Sequence, residues 1–222
     1  MKGFSFISAY YPRIHYFGNH LMHFELFFKG VFLANKVYKV FDEELLVFEE
    51  KFPAFIIQKL GYSKNVNPRS WAMFVSSHFN TPQEALEYAF SIIDEFIASN
   101  PKHENNVETN LAINNFIEIL VELKDYRTHY LINDFDDFEA FIKGVNVFIA
   151  QYEIIDETFF PFEPEFSDYV QRLLPMYSKS KRRRYDIILK YVYPSAGYGK
   201  EAGFKHLFRL LFSPQQQNLK KT

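Results

Sequence analysis

Five cations fall within six positions near the C-terminus: Lys179, Lys181, Arg182, Arg183 and Arg184, with Lys190 shortly after. The periodicity of Tyr185, Ile188, Leu189 and Val192 predicts a helix over 180–193, so the cations crowd its N-terminal end. Cations there oppose the positive end of the helix dipole. A bound anion relieves that conflict, because free backbone N–H groups and Arg forks match phosphate. The counterweight is acidic. Residues 134–168 hold ten Asp and Glu against a single Lys, and Asp134, Asp136, Asp137 and Glu139 are the densest part. Their spacing lacks the glycine and distal glutamate of a calcium loop and suits helix capping or a basic partner. His20 and His23 would share a helix face one turn apart, as two ligands of a zinc site needing a third from elsewhere. No H-E-x-x-H pattern accompanies them.

A second candidate is the run Lys124, Asp125, Tyr126, Arg127, Thr128, His129 and Tyr130 at the junction of two predicted helices. It resembles the R-(polar)-x-x-x-H motif of HEPN domains, all-α proteins of which many cleave RNA as dimers. The resemblance implies that Lys124 takes the phosphate-contacting position, Asp125 the polar position and His129 the proton-transfer position. It covers seven residues, and Lys stands where the family has Arg, so the bidentate phosphate contact is lost. The glycines at 197, 199 and 203 mimic a phosphate loop but miss both the P-loop and the dinucleotide spacing. No nucleophile-elbow, kinase, zinc-finger or helix-turn-helix signature is present.

The elements that must position these residues read as helices. Thr81, Pro82 and Glu84 open the clearest one, over 81–98, with Ala85, Leu86, Ala89, Phe90, Ile93, Phe96 and Ile97 inward. Further helices are expected at 67–78, 107–124 (inward face Ile113, Phe116, Ile117 and Leu120), from Asp136 or Asp137 through Tyr152, at 164–174, and at 199–212 with Phe204, Leu207, Phe208 and Leu211 inward. Residues 19–41 read as one helix with Gly30 a weak spot, or as a hairpin turning at Lys29 and Gly30. Residues 4–11 read as a short strand.

Composition bounds the rest. The 222 residues include 27 Phe, 15 Tyr and no Cys, which excludes disulfides, thiol nucleophiles and cysteine-held metal. Charge is sorted along the chain. Residues 1–169 carry 13 Lys and Arg against 25 Asp and Glu, whereas residues 170–222 carry 12 against 2. That asymmetry bears on partners and association, not on fold.

These features predict a mainly α protein of about eight helices around an aromatic core. The expected organisation is one helical domain over 1–213, with a basic subregion 170–213 and a tail at 214–222. The expected function is non-catalytic binding or regulation, of the neutralising or immunity type, through segregated acidic and basic faces. A protein is the expected partner, with RNA or another polyanion as the alternative at 179–184. HEPN-like RNA binding or cleavage through Lys124, Asp125 and His129 is the second function, and a metal-dependent hydrolase using His20 and His23 the third. No cofactor, no membrane partner and a cytoplasmic location are expected.

Overall fold

The computed structural model describes residues 2–10, 20–63, 66, 68–100, 115–156, 203–205, 207–209 and 212. Its elements are α1 (Gly3–Tyr10), α2 (Leu21–Val37), α3 (Glu43–Lys59), α4 (Trp71–Ser76), α5 (Pro82–Ser99), α6 (Asn115–Tyr126) and α7 (Phe135–Gln151). Residues 203–205, 207–209 and 212 are also helical, and no strand occurs among the described residues. The protein is mainly α, with a buried aromatic cluster. The chain divides into two compact units: Met1–Leu111 with Ala140–Ile155, and Ala112–Glu139 with Asp156–Thr222. No described helix is long and apolar enough to cross a membrane. The predicted helices over 164–174 and 180–193, and the proposed tail, lie outside the described residues.

The first unit is built on phenylalanine. Three- and four-residue spacing buries Ala85, Leu86, Ala89, Ile92, Ile93 and Phe96 on one side of α5. Phe96 meets the rings of Phe4, Phe48, Phe52 and Phe55 edge-on, at centroid distances of 6.1, 5.6, 5.5 and 5.3 Å. Phe28 of α2 is a second hub, touching Phe24 at 4.9 Å and Phe48 at 5.8 Å. Each such ring pair contributes about 0.5–1.5 kcal/mol beyond the area it buries. Of residues 4–11, expected as a strand, residues 4–10 lie in α1 instead, and residue 11 lies outside the described residues. Phe4, Phe6 and Ile7 are all buried, and spacings of two and three residues fit a helix once both flanks are covered.

Of the two readings of residues 19–41, the helix is the one seen, over Leu21–Val37. Gly30 is where that helix meets α7. A side chain on Gly30 would overlap the Phe141 carbonyl, and one on Gly144 would overlap the Phe27 carbonyl. The two glycines therefore let two backbones touch, each lying against the other helix. The local cost of glycine in a helix, about 1 kcal/mol, is accepted for that approach.

The turn after α2 is fixed by a buried polar cluster. The Asp42 backbone N–H donates to Asn35 Oδ1 at 2.9 Å, and the Asn35 side-chain amide donates back to the Asp42 carbonyl at 3.4 Å. Asp42 Oδ1 accepts from Leu45 N at 3.2 Å and so caps α3, while Oδ2 accepts from the Tyr152 hydroxyl at 2.6 Å. Lys39 and Phe41 adopt φ of 53° and 52° to complete this turn. Such left-handed geometry is strained for non-glycine residues and persists where surrounding bonds over-determine it. Next to it, Glu44 Oε2 accepts from Phe4 N at 2.6 Å, holding the start of α1.

Two other helix starts differ from expectation. The helix predicted from Asn67 begins at Trp71, because Ser70 Oγ accepts from Met73 N at 3.0 Å and caps it. The same hydroxyl donates to buried Glu25 at 2.5 Å, and Glu25 also accepts from Ala72 N. The helix expected from Asp136 or Asp137 is capped by Asp134, whose Oδ1 accepts from Asp137 N at 3.0 Å. Asp137 returns the bond, accepting from Asn133 N and Asp134 N at 2.9 and 3.3 Å.

In the second unit, α6 buries Phe116, Ile119, Leu120 and Leu123. Ile117, expected inward, is only half-buried. Phe138 packs against Phe204 and Phe208 at 6.3 and 5.9 Å. Asp156 accepts from Phe116 N at 2.8 Å and closes the start of α6.

Gly144→Ala should cost about 2–3 kcal/mol by forcing two backbones apart, despite the higher helix propensity of alanine. Chemical denaturation reads this directly, and an unchanged midpoint would show that the helices do not touch at Gly144. A second expectation concerns alkaline pH. Burial, then the bond to the Asp42 carboxylate, push the Tyr152 hydroxyl well above the usual tyrosine range. The folded state thus keeps a proton that an unfolded tyrosine sheds near pH 10. The stabilisation is complete below that pH and is lost as pH climbs beyond it. Tyr152→Phe should cost about 2 kcal/mol at neutral pH and flatten the alkaline fall in stability. An equally steep fall in the variant would assign it to other groups.

Candidate functional site

Four cations and a carboxylate line one cleft of the second unit. The last turn of α6 carries Lys124 and Asp125 on its exposed side, with Leu123 turned inward. The chain then folds into a tight turn clamped by Arg127. Its carbonyl accepts from Ile132 N at 3.0 Å, and its Nη1 donates to the Ile132 carbonyl at 3.1 Å. Leu131 takes a φ of 66° within that turn, and Ile132 is fully buried.

The Arg127 guanidinium lies over the Phe204 ring, 4.3 Å from its centroid. A planar cation against an aromatic face is favourable by about 0.5–2 kcal/mol, more as water is excluded. Phe204, Phe208 and Phe212 follow one another at four-residue spacing, with centroids 6.5 and 6.4 Å apart. Lys205 and Arg209 sit on the adjacent, exposed side at the same spacing.

These two segments enclose a cleft of about 320 Å³, lined by Lys124, Asp125, Arg127, Phe204, Lys205, Phe208, Arg209 and Phe212. Four cations thus face one carboxylate. Lys124, Lys205 and Arg209 make no ion pair among the described residues. In chemical terms the cleft offers cationic donors, one anionic acceptor and an apolar wall.

The residues singled out from sequence divide among several places. Lys124 and Asp125 line the cleft. His129 does not: it is exposed on the turn, its ring edge-on to Tyr130 at 5.6 Å. The basic run Lys179, Lys181, Arg182, Arg183, Arg184 and Lys190 lies outside the described residues. Asp134 and Asp137 are engaged in capping α7, and Asp137 is buried. Asp136 and Glu139, in the first turns of α7, are half-buried. The His20 and His23 rings meet edge to face at 5.5 Å. No group of three or more carboxylates or imidazoles poised to hold a metal occurs among the described residues.

Sequence reasoning did not single out Arg127, Lys205, Arg209 or Phe212. The signal available was the pairing of two four-residue spacings, Phe204, Phe208 and Phe212 beside Lys205 and Arg209. No family model, curated protein or solved structure matches this chain.

Proposed function

We propose that this is a non-catalytic binding protein that captures an anionic partner through the basic cleft of its second unit. One observation carries the reading: Lys124, Arg127, Lys205 and Arg209 converge on one cleft against a single carboxylate, Asp125. Like charges held together repel, and the repulsion is relieved when a bound anion supplies the missing charge. Arg127 is committed to the Phe204 ring and the Ile132 carbonyl, so it gives the cleft a fixed cation. Lys124, Lys205 and Arg209 supply solvent-exposed ones.

A second reading is RNA cleavage by Lys124, Asp125 and His129. What favours it is that the first two line the cleft. Its demand on His129 is harder to meet, since that ring sits outside the lining. His129→Ala should abolish cleavage if this reading holds, and should leave anion affinity within about twofold under the binding reading.

The test of the binding reading is charge reversal of Lys205→Glu together with Arg209→Glu in the full chain, with inorganic polyphosphate as the probe. Affinity should fall roughly tenfold or more, and the parent's affinity should weaken steeply with added salt. Both side chains are exposed, so the thermal midpoint should stay within about 2 °C. Polyphosphate affinity that survives the double reversal would remove the cleft as the site.

A further inference from the structure

We propose that the ligand of this cleft is a nucleotide of a single strand, held by its phosphate and by its base ring together. The proposal rests on the anion-binding reading above and names the chemistry that the charge alone leaves open. Three features carry it.

The first is the aromatic wall. An acidic peptide needs only cations, and a phenylalanine facing its carboxylates gives it nothing. Here the Phe204 face is already covered by Arg127, and Phe208 is 4% exposed. Phe212, at the end of this ladder, is only half-buried, so one ring of the cleft keeps a face for a ligand. Bases of every kind stack on such a ring, whereas carboxylates are repelled by its negative face.

The second is size. A volume of about 320 Å³ lies at the lower end of the range for small-ligand pockets. It accommodates one nucleotide, and a duplex, whose bases are stacked and paired, cannot present a base to the wall. The third is Asp125. A carboxylate among four cations opposes a purely anionic ligand. It becomes an acceptor for the hydroxyl and amino groups that a nucleotide carries and that acidic side chains lack. Lys205 and Arg209 then meet the phosphate, Arg with its fork and Lys as a point charge.

The experiment titrates the full chain with labelled oligouridylate, oligothymidylate and polyglutamate of matched charge. Both nucleic-acid strands should bind more tightly than polyglutamate, and the tighter of the two identifies RNA or DNA as the source. Phe212→Leu keeps apolar volume and removes the π face. It should lower strand affinity about 5- to 150-fold and leave polyglutamate affinity unchanged. Phe212→Tyr should restore strand binding. A further measurement needs no variant: in the complex of the unaltered protein, uridine ring protons should shift upfield, as a stacked base requires. Polyglutamate binding as tight as either strand, or unshifted ring protons, would overturn the nucleotide assignment while leaving the anion cleft standing. Loss of the cleft itself shows up separately, as polyphosphate binding that ignores the Lys205 and Arg209 reversals.

Discussion

A carboxylate oxygen on the free amides of a helix start is the interaction on which this structure depends most. Among the seven helices α1–α7, six begin this way. Glu44 holds Phe4 N of α1, Asp42 holds Leu45 N of α3, and Glu25 holds Ala72 N of α4. Glu84 returns the bond of Thr81 at α5, Asp156 holds Phe116 N of α6, and Asp134 and Asp137 close α7 reciprocally. Helix starts leave amide groups without intrahelical partners, and burying them unpaired costs about 1–3 kcal/mol each. A core built of apolar side chains, phenylalanine prominent among them, supplies few other acceptors. The acidic bias of residues 1–169 therefore serves the fold at several named positions, and the charge sorting along the chain is partly an architectural consequence.

The aromatic core constrains the same positions from the other side. Rings must meet edge-on or offset, so their helices cannot slide freely against one another. Asp42 fixes one corner of this arrangement by tying the ends of α2 and α7 to the start of α3 through Asn35 and Tyr152. The glycines at 30 and 144 fix another by bringing α2 and α7 to backbone contact. Removing the cap would take away the acceptor of the Tyr152 hydroxyl proton, leaving only the bond from Gly3 N, and adding a methyl at either glycine would shift the helices that carry Phe27, Phe28 and Phe141. Polar pairing and ring packing thus act on one geometry, and neither tolerates much movement in the other.

What could be read from the residues follows from how local each signal is. The start of α5 was legible to the residue, because Thr81, Pro82 and Glu84 form a capping box within four positions. α1 was misread, since eight residues containing Phe4, Phe6 and Ile7 fit a strand as well as a helix until both flanks are seen to be buried. α3 left no clear mark: Pro53 stands inside it and interrupts the pattern that would announce a helix. Gly30 read as a weak point because its partner, Gly144, is far away in sequence. Asp42 gave no warning that Tyr152 would reach it. The site behaved similarly. Lys124 and Asp125 stood out through a short motif, whereas Lys205, Arg209 and Phe212 matter only through the α6 segment they face.

The fate of that motif shows why residue order is a poor guide to chemistry at a helix end. The motif that this run resembles spaces a cation, an adjacent polar residue and a histidine within six positions, here Lys124, Asp125 and His129. In this chain α6 stops at Tyr126, so Lys124 and Asp125 ride on the helix while His129 rides on the turn. Arg127 clamps the turn by bonding to both ends of Ile132, and Leu131 adopts a left-handed φ of 66° to let the chain reverse. The histidine is thereby set beside Tyr130, and the cation that reaches the aromatic wall is Arg127, a residue the motif treats as a spacer. The cleft is lined by Lys124, Asp125 and Arg127, and His129 is not part of its lining. Which residues line the cleft then follows from where α6 ends, and from which side of the turn each charged residue falls on.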